Sequence, residues 1–298
     1  MPRRAISGEV QELVDNVYSV LRRMGGRVDI IEYPSTQNRA IDLVSGKGER
    51  RIFARVVLDI GYIERKDVEE LKASASLLGA SPIIVGRYVY GYAIEESVAY
   101  EKHGIHAVNV ETLESVLCRG ERIYVYNTRG IFLVKINREK FRERRRELGL
   151  SLGELARLTG VSRKAIYEYE RGTMDLSIDK AIKIAEILGY DVLDEINILE
   201  PPSTIPENKD LKNPDTHVEK EAMDKLEKKG FKVIHLKRTP IDLLARKGRE
   251  TIAIIVKHFI SDKKFKQKIN EAEKIVSLTE SKEIVLEKED DIENIIKS

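Results

Sequence analysis

The chain contains few of the residues on which several kinds of protein chemistry depend. Among 298 residues it has one cysteine, Cys118, no tryptophan and five histidines. A single cysteine excludes an intramolecular disulfide framework and a cysteine-based zinc site, so we expect a reducing, cytoplasmic environment. No apolar run approaches the roughly 18 residues that span a bilayer, and no signal-peptide pattern opens the sequence. We therefore expect no membrane partner.

Charge of one sign is also scarce, because 52 basic and 50 acidic residues leave a net charge of +2. Any affinity for nucleic acid must then come from local basic patches. The sequence has no glycine-rich phosphate loop of the GxGxxG or GxxxxGKS kind, and we predict no cofactor. Its length and its 42% hydrophobic content predict two or three globular domains.

The segment 141–190 has the spacing of short helices joined by tight turns. Ser151 and Glu154 form the Ser-x-x-Glu pattern of a capping box at the start of one helix. Gly160 supplies a turn before Ser162 caps a second helix, which ends at Gly172. The predicted inward positions of the two helices are Leu152, Leu155, Ala156, Leu158, Ala165, Ile166 and Tyr169.

This segment resembles the Cro/C1-type (XRE) helix-turn-helix family. The resemblance is carried by Glu154-Leu155-Ala156, Gly160, Val161-Ser162, Ile166 and Glu170-Arg171-Gly172. It implies that the second helix enters the major groove of double-stranded DNA while the first lies across the backbone. By position it assigns DNA binding to Ser151, Ser162, Arg163, Lys164, Tyr167 and Glu168. Leu152 stands where the family often has glutamine, so that contact is expected to be missing.

A basic run precedes the motif and includes Arg142 and Arg145. Such a run suits sequence-independent attraction to phosphates. The alternative is an ordinary solvated face, because Glu139, Glu143 and Glu147 partly neutralise it.

The sequence contains an internal repeat, since residues 41–58 and 241–258 align without a gap. Each copy reads as an Ile-Asp-Leu strand, a Lys-Gly turn and a second strand, which is the pattern of a hairpin. An amphipathic helix is predicted before each hairpin, and a helix and a strand after it. The predicted bounds are 9–24, 66–78 and 82–85 in the first copy and 218–229, 264–278 and 283–286 in the second.

This order resembles the restriction-endonuclease-like (PD-(D/E)XK) fold, and most closely archaeal Holliday-junction resolvases. In active members an Asp and a Glu-x-Lys on successive strands bind a divalent metal. The second copy has Asp242 and Lys257, but Ile255 replaces the acidic residue. In the first copy Arg55 and Val57 stand at the matching positions, beside Asp42. We predict no catalytic residue and no metal, with the two aspartates anchoring the hairpins.

We expect a multidomain chain. The predicted parts are an α/β restriction-endonuclease-like domain (1–134), an all-α lambda-repressor-like helix-turn-helix domain (135–198), a proline-containing linker (199–216) and a second, smaller α/β restriction-endonuclease-like domain (217–298). Within these ranges we predict a strand at 104–109, a helix at 110–117, a hairpin of 122–126 with 131–134, and closing helices at 178–188 and 191–196. Tyr88, Tyr90, Tyr92 and Tyr100 are expected to pack against a strand and a helix.

The layout resembles archaeal HTH-type transcriptional regulatory proteins. It implies a sequence-specific regulator that binds double-stranded DNA as a homodimer, with α/β domains that pair subunits, bind a protein partner or act as sensors. One alternative is a metal-dependent nuclease directed by the helix-turn-helix, with Glu219, Asp242 and Lys257 as its site. Another is a binding module whose helix-turn-helix contacts protein.

Overall fold

The computed structural model describes residues 3–35, 39–202, 204–206 and 208–287, and the side chains from residue 8 onward. Contacts between Cα atoms divide the chain into two compact units. One unit combines Met1–Ala93 with Leu199–Ser298, and the other is Ile94–Ile198. The predicted boundary at 134 differs from this division, which groups residues 94–134 with the helix-turn-helix segment.

The first copy of the repeat contains two long helices and a mixed sheet. Its elements are α1 (Arg3–Arg23), β1 (Arg27–Ile30), β2 (Leu43–Lys47), β3 (Arg50–Asp59), α2 (Arg65–Leu78), β4 (Ser81–Val89) and β5 (Tyr92–Ala93). Strands β1, β2 and β3 are antiparallel, and the α2 crossover makes β4 parallel to β3. The α1 stripe of Leu13, Val17 and Leu21 is at most 2% exposed, as expected for an amphipathic helix on a sheet.

The second unit begins with β6 (Val98–Lys102), β7 (Ile105–Val108), α3 (Val110–Glu114), β8 (Val125–Thr128) and β9 (Ile131–Val134). It continues with α4 (Arg138–Glu147), α5 (Leu152–Thr159), α6 (Arg163–Arg171), β10 (Leu176–Ser177) and α7 (Ile178–Leu188). The β8–β9 hairpin belongs with the helices because β10 pairs with β9 and Val134 lies in the helical core. Tyr126 also donates a hydrogen bond to Asp175 at 2.5 Å.

The second copy repeats the first. Its elements are α8 (His217–Lys228), β11 (Lys232–His235), β12 (Leu243–Lys247), β13 (Glu250–Val256), α9 (Asp262–Thr279) and β14 (Lys282–Leu286). Strands β11, β12 and β13 are antiparallel and β14 is parallel to β13. The helices and strands predicted for both copies are therefore confirmed, with ends shifted by a few residues. The structure also confirms the hairpin architecture around both Lys-Gly turns.

Two local predictions are wrong. The helix predicted at 191–196 is a single 3-10 turn, Tyr190–Val192, after which Leu193 is extended and forms a bridge with Ile136. Tyr88, Tyr90 and Tyr92 do not pack between a strand and a helix but are 36–78% exposed, because they lie at the end of β4, in the following turn and in β5. Tyr100 is buried as expected.

The segment predicted as a linker packs within the first unit, as far as it is described. It contains a 3-10 turn, Lys209–Lys212, whose Leu211 is 3% exposed. Asn208 donates a hydrogen bond to Glu69 on α2 at 2.5 Å. The prolines around it still prevent a regular helix or strand there, as predicted.

The two copies pair with each other inside the first unit in a reciprocal way. Glu70 of α2 accepts a hydrogen bond from the backbone N–H of Lys237 just after β11, and Glu271 of α9 accepts one from the backbone N–H of Glu32 just after β1. Arg246 of β12 donates to the carbonyl of Leu77, and Arg51 of β3 donates to that of Leu278. Each copy thus binds the helix after the other copy's hairpin, as in an isologous dimer.

Candidate nucleic-acid interface and nuclease-like centres

Local hydrogen bonds fix the ends of α5 and α6. The Ser151 Oγ accepts from the Glu154 N–H at 3.1 Å, and the Ser151 N–H donates to the Glu154 carboxylate at 2.8 Å, which completes the predicted capping box. Gly160 ends α5 in the left-handed region, with φ of 67°. Ser162 then caps α6 by accepting from the Ala165 N–H at 3.1 Å. The two helices and their turn begin and end as predicted.

The inner faces of α5 and α6 build the core of this unit. Leu155 and Ile166 are fully buried and Tyr169 is 2% exposed. Leu152 packs on the edge of this core as a partly buried residue. Leu158 was predicted to face inward but is 54% exposed, because α5 ends one residue later and its inward stripe runs through Thr159 instead.

The outer face of α6 carries the predicted DNA-binding residues. Ser162, Arg163 and Lys164 are exposed, and within the part of the chain that the structure describes no acidic side chain pairs with Arg163 or Lys164. Tyr167 is 46% exposed, with the Arg171 guanidinium 5.5 Å from its ring centroid. Two cations are therefore free to meet a polyanion, while the tyrosine ring is held in place by a cation–π contact.

Glu168 differs from its neighbours because its carboxylate accepts a hydrogen bond from the Thr173 hydroxyl. This contact lies at the end of α6, where the Thr173 N–H also donates to the Glu168 carbonyl. Glu168 therefore closes the helix end, although its partial exposure leaves it beside the outer face.

The basic residues of α4 divide into two classes. Arg145 has a side chain only 12% exposed and donates to Glu170 at 2.8 and 3.0 Å and to the Leu150 carbonyl at 2.7 Å. Arg142 also contacts Glu170, at 3.1 Å, but remains 48% exposed. Burial raises the pKa of Glu170, while hydrogen bonds from Arg145 and then Arg142 offset this and hold it below its usual value. Arg145 thus joins α4 to α6, whereas Arg142 can still face phosphate.

The structure adds one candidate to this surface that the sequence did not reveal. Arg171 lies on the same side of α6 as Tyr167, one turn later, and its last-turn position favours a cation. The sequence could have indicated Arg171 through its spacing of four residues from Tyr167, because residues four apart lie on the same face of a helix.

The second copy contains a buried cluster of charged groups around Asp242. One carboxylate oxygen of Asp242 accepts from the Val256 N–H at 2.7 Å. The Lys268 ammonium on α9 donates to both oxygens, at 2.7 and 2.6 Å, and the His258 Nε2 lies 3.0 Å from one of them. Asp242 and Lys268 are 6% and 2% exposed. Asp242 anchors its hairpin as predicted, but Lys268 was not anticipated.

Glu219 completes this cluster from the first turn of α8. It is fully buried and accepts from the backbone N–H groups of Asp215 and Thr216 at 2.8 Å. Burial raises the pKa of Glu219, but the rings of His235 and His258, 3.4 and 3.3 Å from its Oε1, bring it below its usual value. Asp242 and then Glu219 raise the pKa of His258 to about 9, so its imidazole is protonated at neutral pH.

Lys257 does not join the cluster, so the structure brings together only two of the three residues named for a nuclease site. Its ammonium pairs with Asp262 at 2.7 Å and lies 5.6 Å from the Phe265 ring centroid. Ile255 is fully buried in β13. In the first copy, Asp42 accepts from the Val56 N–H and from Arg55, both at 2.7 Å.

The nuclease-like fold implies a divalent metal, and the ligand atoms of Glu219, Asp242 and His258 lie within 4.8 Å of one another. The donor set does not fit such an ion, however. Both oxygens of Asp242 already accept hydrogen bonds from the buried Lys268 ammonium, so a metal ion would have to displace this side chain. A divalent ion added beside this ammonium would place like charges together in a buried site.

Comparison with known proteins gives two domain matches. Residues 10–123 match the PD-(D/E)XK superfamily domain, and residues 141–194 match a helix-turn-helix model. No solved structure matches the chain significantly. The two domain matches confirm the predicted nuclease-like and helix-turn-helix folds. None of the described helices is long and apolar enough to cross a membrane.

Several archaeal relatives are similar over most of their length. A protein of Aeropyrum pernix named "Putative HTH-type transcriptional regulatory protein" is 40% identical over 85% of this chain and 78% of its own length. Proteins of the same name from Thermococcus gammatolerans and Sulfurisphaera tokodaii are 34% and 30% identical, over 91% and 93% of this chain and 82% and 90% of their own lengths.

Proposed function

This chain belongs to the family of archaeal HTH-type transcriptional regulatory proteins, and we propose that it regulates transcription by reading a specific double-stranded DNA sequence through α6. The observation that carries the proposal is the division of α6 into two faces. Ile166 and Tyr169 are buried, while Arg163 and Lys164 project outward without an acidic partner among the described residues. A helix anchored in this way can enter the major groove without rearrangement.

The residues on the outer face have distinct roles in this proposal. Arg163, in the first turn of α6, offers the planar donors that pair with the O6 and N7 acceptors of guanine. Lys164 and Arg142 supply point charges for phosphates, which position the protein without reading sequence. The Ser151 and Ser162 hydroxyls accept bonds within their helices and retain a proton to donate to phosphate.

We also propose that the chain binds DNA as a homodimer, with two recognition helices separated by about 34 Å, one turn of the double helix. The faces joined by Glu70 and Glu271 are used within each chain, so they are not the surfaces that pair subunits. Sedimentation of the protein free and on its operator tests this assignment. A single chain per operator in both states would contradict it.

We further propose that neither α/β copy cuts DNA. This is supported by Arg55 and Lys268, which bind the aspartates at the positions where nucleases of this fold need a metal. Incubation of the protein with magnesium or manganese and plasmid or branched DNA is expected to give no products. Metal-dependent cutting that Asp242→Ala abolishes would establish the nuclease instead.

The decisive experiment for DNA reading is a binding selection from genomic fragments, performed with wild type and with Arg163→Ala/Lys164→Ala. Wild type is expected to enrich a short sequence of two related half-sites, and the double variant is expected to lose that enrichment. Enrichment of the same sequence by both proteins would remove α6 as the reading helix. Absence of any enrichment by wild type would favour a helix-turn-helix that contacts protein.

A further inference from the structure

The two copies of the repeat allow the same position to be compared twice in one molecule. Asp42 and Asp242 each precede the first strand of a hairpin, and each accepts the N–H of a valine on the neighbouring strand at 2.7 Å. Each also has two basic neighbours, since Arg39 lies 3.7 Å from Asp42 and His258 lies 3.0 Å from Asp242. The closest cation, however, comes from different elements in the two copies. Arg55 of β3 donates to Asp42 at 2.7 Å, whereas Lys268 of α9 donates to Asp242 at 2.6 Å.

The position that supplies the closest cation differs between the two copies. In the second copy the residue that aligns with Arg55 is Ile255, which is fully buried in β13. Helices α2 and α9 align when Glu70 matches Glu271, since each accepts a backbone N–H from the other copy. In that register Lys268 matches Asp67, so the strand supplies the closest cation in one copy and the helix supplies it in the other.

The Lys268 ammonium is fully satisfied where it lies. An ammonium has three N–H donors. Its bonds go to the two oxygens of Asp242 and to the Val256 carbonyl at 3.1 Å. Its nitrogen is also 5.9 Å from the ring centroid of Tyr33, a residue of the first copy. A metal ion could reach Asp242 only by displacing an ammonium that is 2% exposed and has no unsatisfied donor.

The helix that carries Lys268 also joins the two copies. Along α9, Glu271 accepts the Glu32 N–H at 2.7 Å, and Lys274 donates to the Ile30 carbonyl at 2.9 Å. At the end of the same helix the Leu278 carbonyl accepts a hydrogen bond from Arg51 at 3.0 Å. Lys268 therefore binds α9 to Asp242 of the second copy, while later residues of the same helix bind the first copy.

We propose that the nuclease-like centre of the second copy is a metal-free anchor, in which Lys268 takes the place of the divalent cation and fixes α9 for the pairing of the two copies. The anchor is a binding site for an internal cation, and the same sequence positions would bind a metal once that cation is removed. This proposal does not depend on DNA reading by α6, because all its residues belong to the α/β unit.

The test uses the full chain and manganese as the probe. Wild type is expected to show no saturable manganese binding below about the millimolar range by calorimetry and electron paramagnetic resonance. Lys268→Met keeps most of the length of the side chain but removes its charge, so in the presence of a chelator its Tm is expected to fall by roughly 5–15 °C. Manganese is then expected to bind at least ten times more tightly than in wild type and to restore part of the Tm.

Two further variants make the result specific. Lys266→Met removes an exposed lysine from the same helix and is expected to leave both the Tm and manganese binding unchanged. Asp242→Asn/Lys268→Met is expected to lose the gained response to manganese. Tight binding by wild type that Asp242→Asn abolishes would overturn the proposal, and so would a Lys268→Met variant as stable as Lys266→Met. If Lys268→Met does not fold, the wild-type titration decides alone.

Discussion

Replacing Arg163 and Lys164 together with alanine tests the reading helix most directly. Neither side chain has an acidic partner among the described residues, and α6 retains its Ser162 cap in the variant. Alanine favours helix more than the residues it replaces. The folded unit should therefore keep its Tm within about 2 °C, and any loss of binding comes from missing contacts with DNA.

The expected loss follows from the chemistry of the two side chains. A bidentate arginine–guanine pair contributes about 1–3 kcal/mol of discrimination, which is roughly 5-fold to 150-fold in affinity for each half-site. A dimer on two half-sites would lose about the square of that factor. Loss of a phosphate contact by Lys164 lowers the salt slope, log Kd against log salt, by about one per subunit.

Fluorescence anisotropy on the selected operator and on a scrambled duplex, at several salt concentrations, separates the two effects. The operator preference should fall because of Arg163, while the affinity for both duplexes should lose salt dependence because of Lys164. Lys183→Ala removes an exposed charge from α7 of the same unit and serves as the matched control. The reasoning fails if the double variant and the control bind the operator equally well.

Two other substitutions test the packing of each unit. Glu271→Gln weakens the hydrogen bond to the backbone of the first copy and should lower the unfolding free energy by about 1.5–3 kcal/mol in chemical denaturation. The control Glu273→Gln changes an exposed residue of the same helix and should lower it little. Equal losses in the two variants would contradict reciprocal pairing. The lowered pKa of Glu170 means that its stabilisation is present above pH about 4.5 and is lost as pH falls through the folded pKa. Glu170→Gln should therefore flatten the decline in stability below pH 4.5, and a curve parallel to wild type would show that the pairing with Arg145 adds nothing.

Local patterns in the sequence were sufficient to predict most helices and strands of this chain. The capping box of Ser151 and Glu154 and the repeated Lys-Gly hairpins are short-range signals, and the structure places them as predicted. The segment 191–196 departs from the predicted helix after a single 3-10 turn, Tyr190–Val192. Leu193 instead forms a β-bridge with Ile136. A contact between residues 57 positions apart cannot be predicted from the local sequence pattern.

The nuclease-like centres around Asp42 and Asp242 could be predicted only in part, because they too depend on contacts between distant residues. Asp42, Asp242 and Glu219 were found because they match a known pattern, but Lys268 lies outside any motif. Its position on the apolar stripe of α9, between Phe265 and Ala272, was the one available signal. A lysine at a buried helical position requires a partner, but the partner, Asp242, is identified only once the fold brings α9 over β13.

Both copies have an aspartate at the same position, although they share little else of a metal site. If metal binding were the role of this residue, the buried cations Arg55 in one copy and Lys268 in the other would oppose it. A buried backbone N–H needs an acceptor wherever it lies, and Val56 and Val256 each donate to this carboxylate. The carboxylate in turn needs a positive charge nearby, but that charge can come from any packed element. The aspartate is thus fixed by the hairpin, whereas the cation is interchangeable, and this is why a strand can supply it in one copy and a helix in the other.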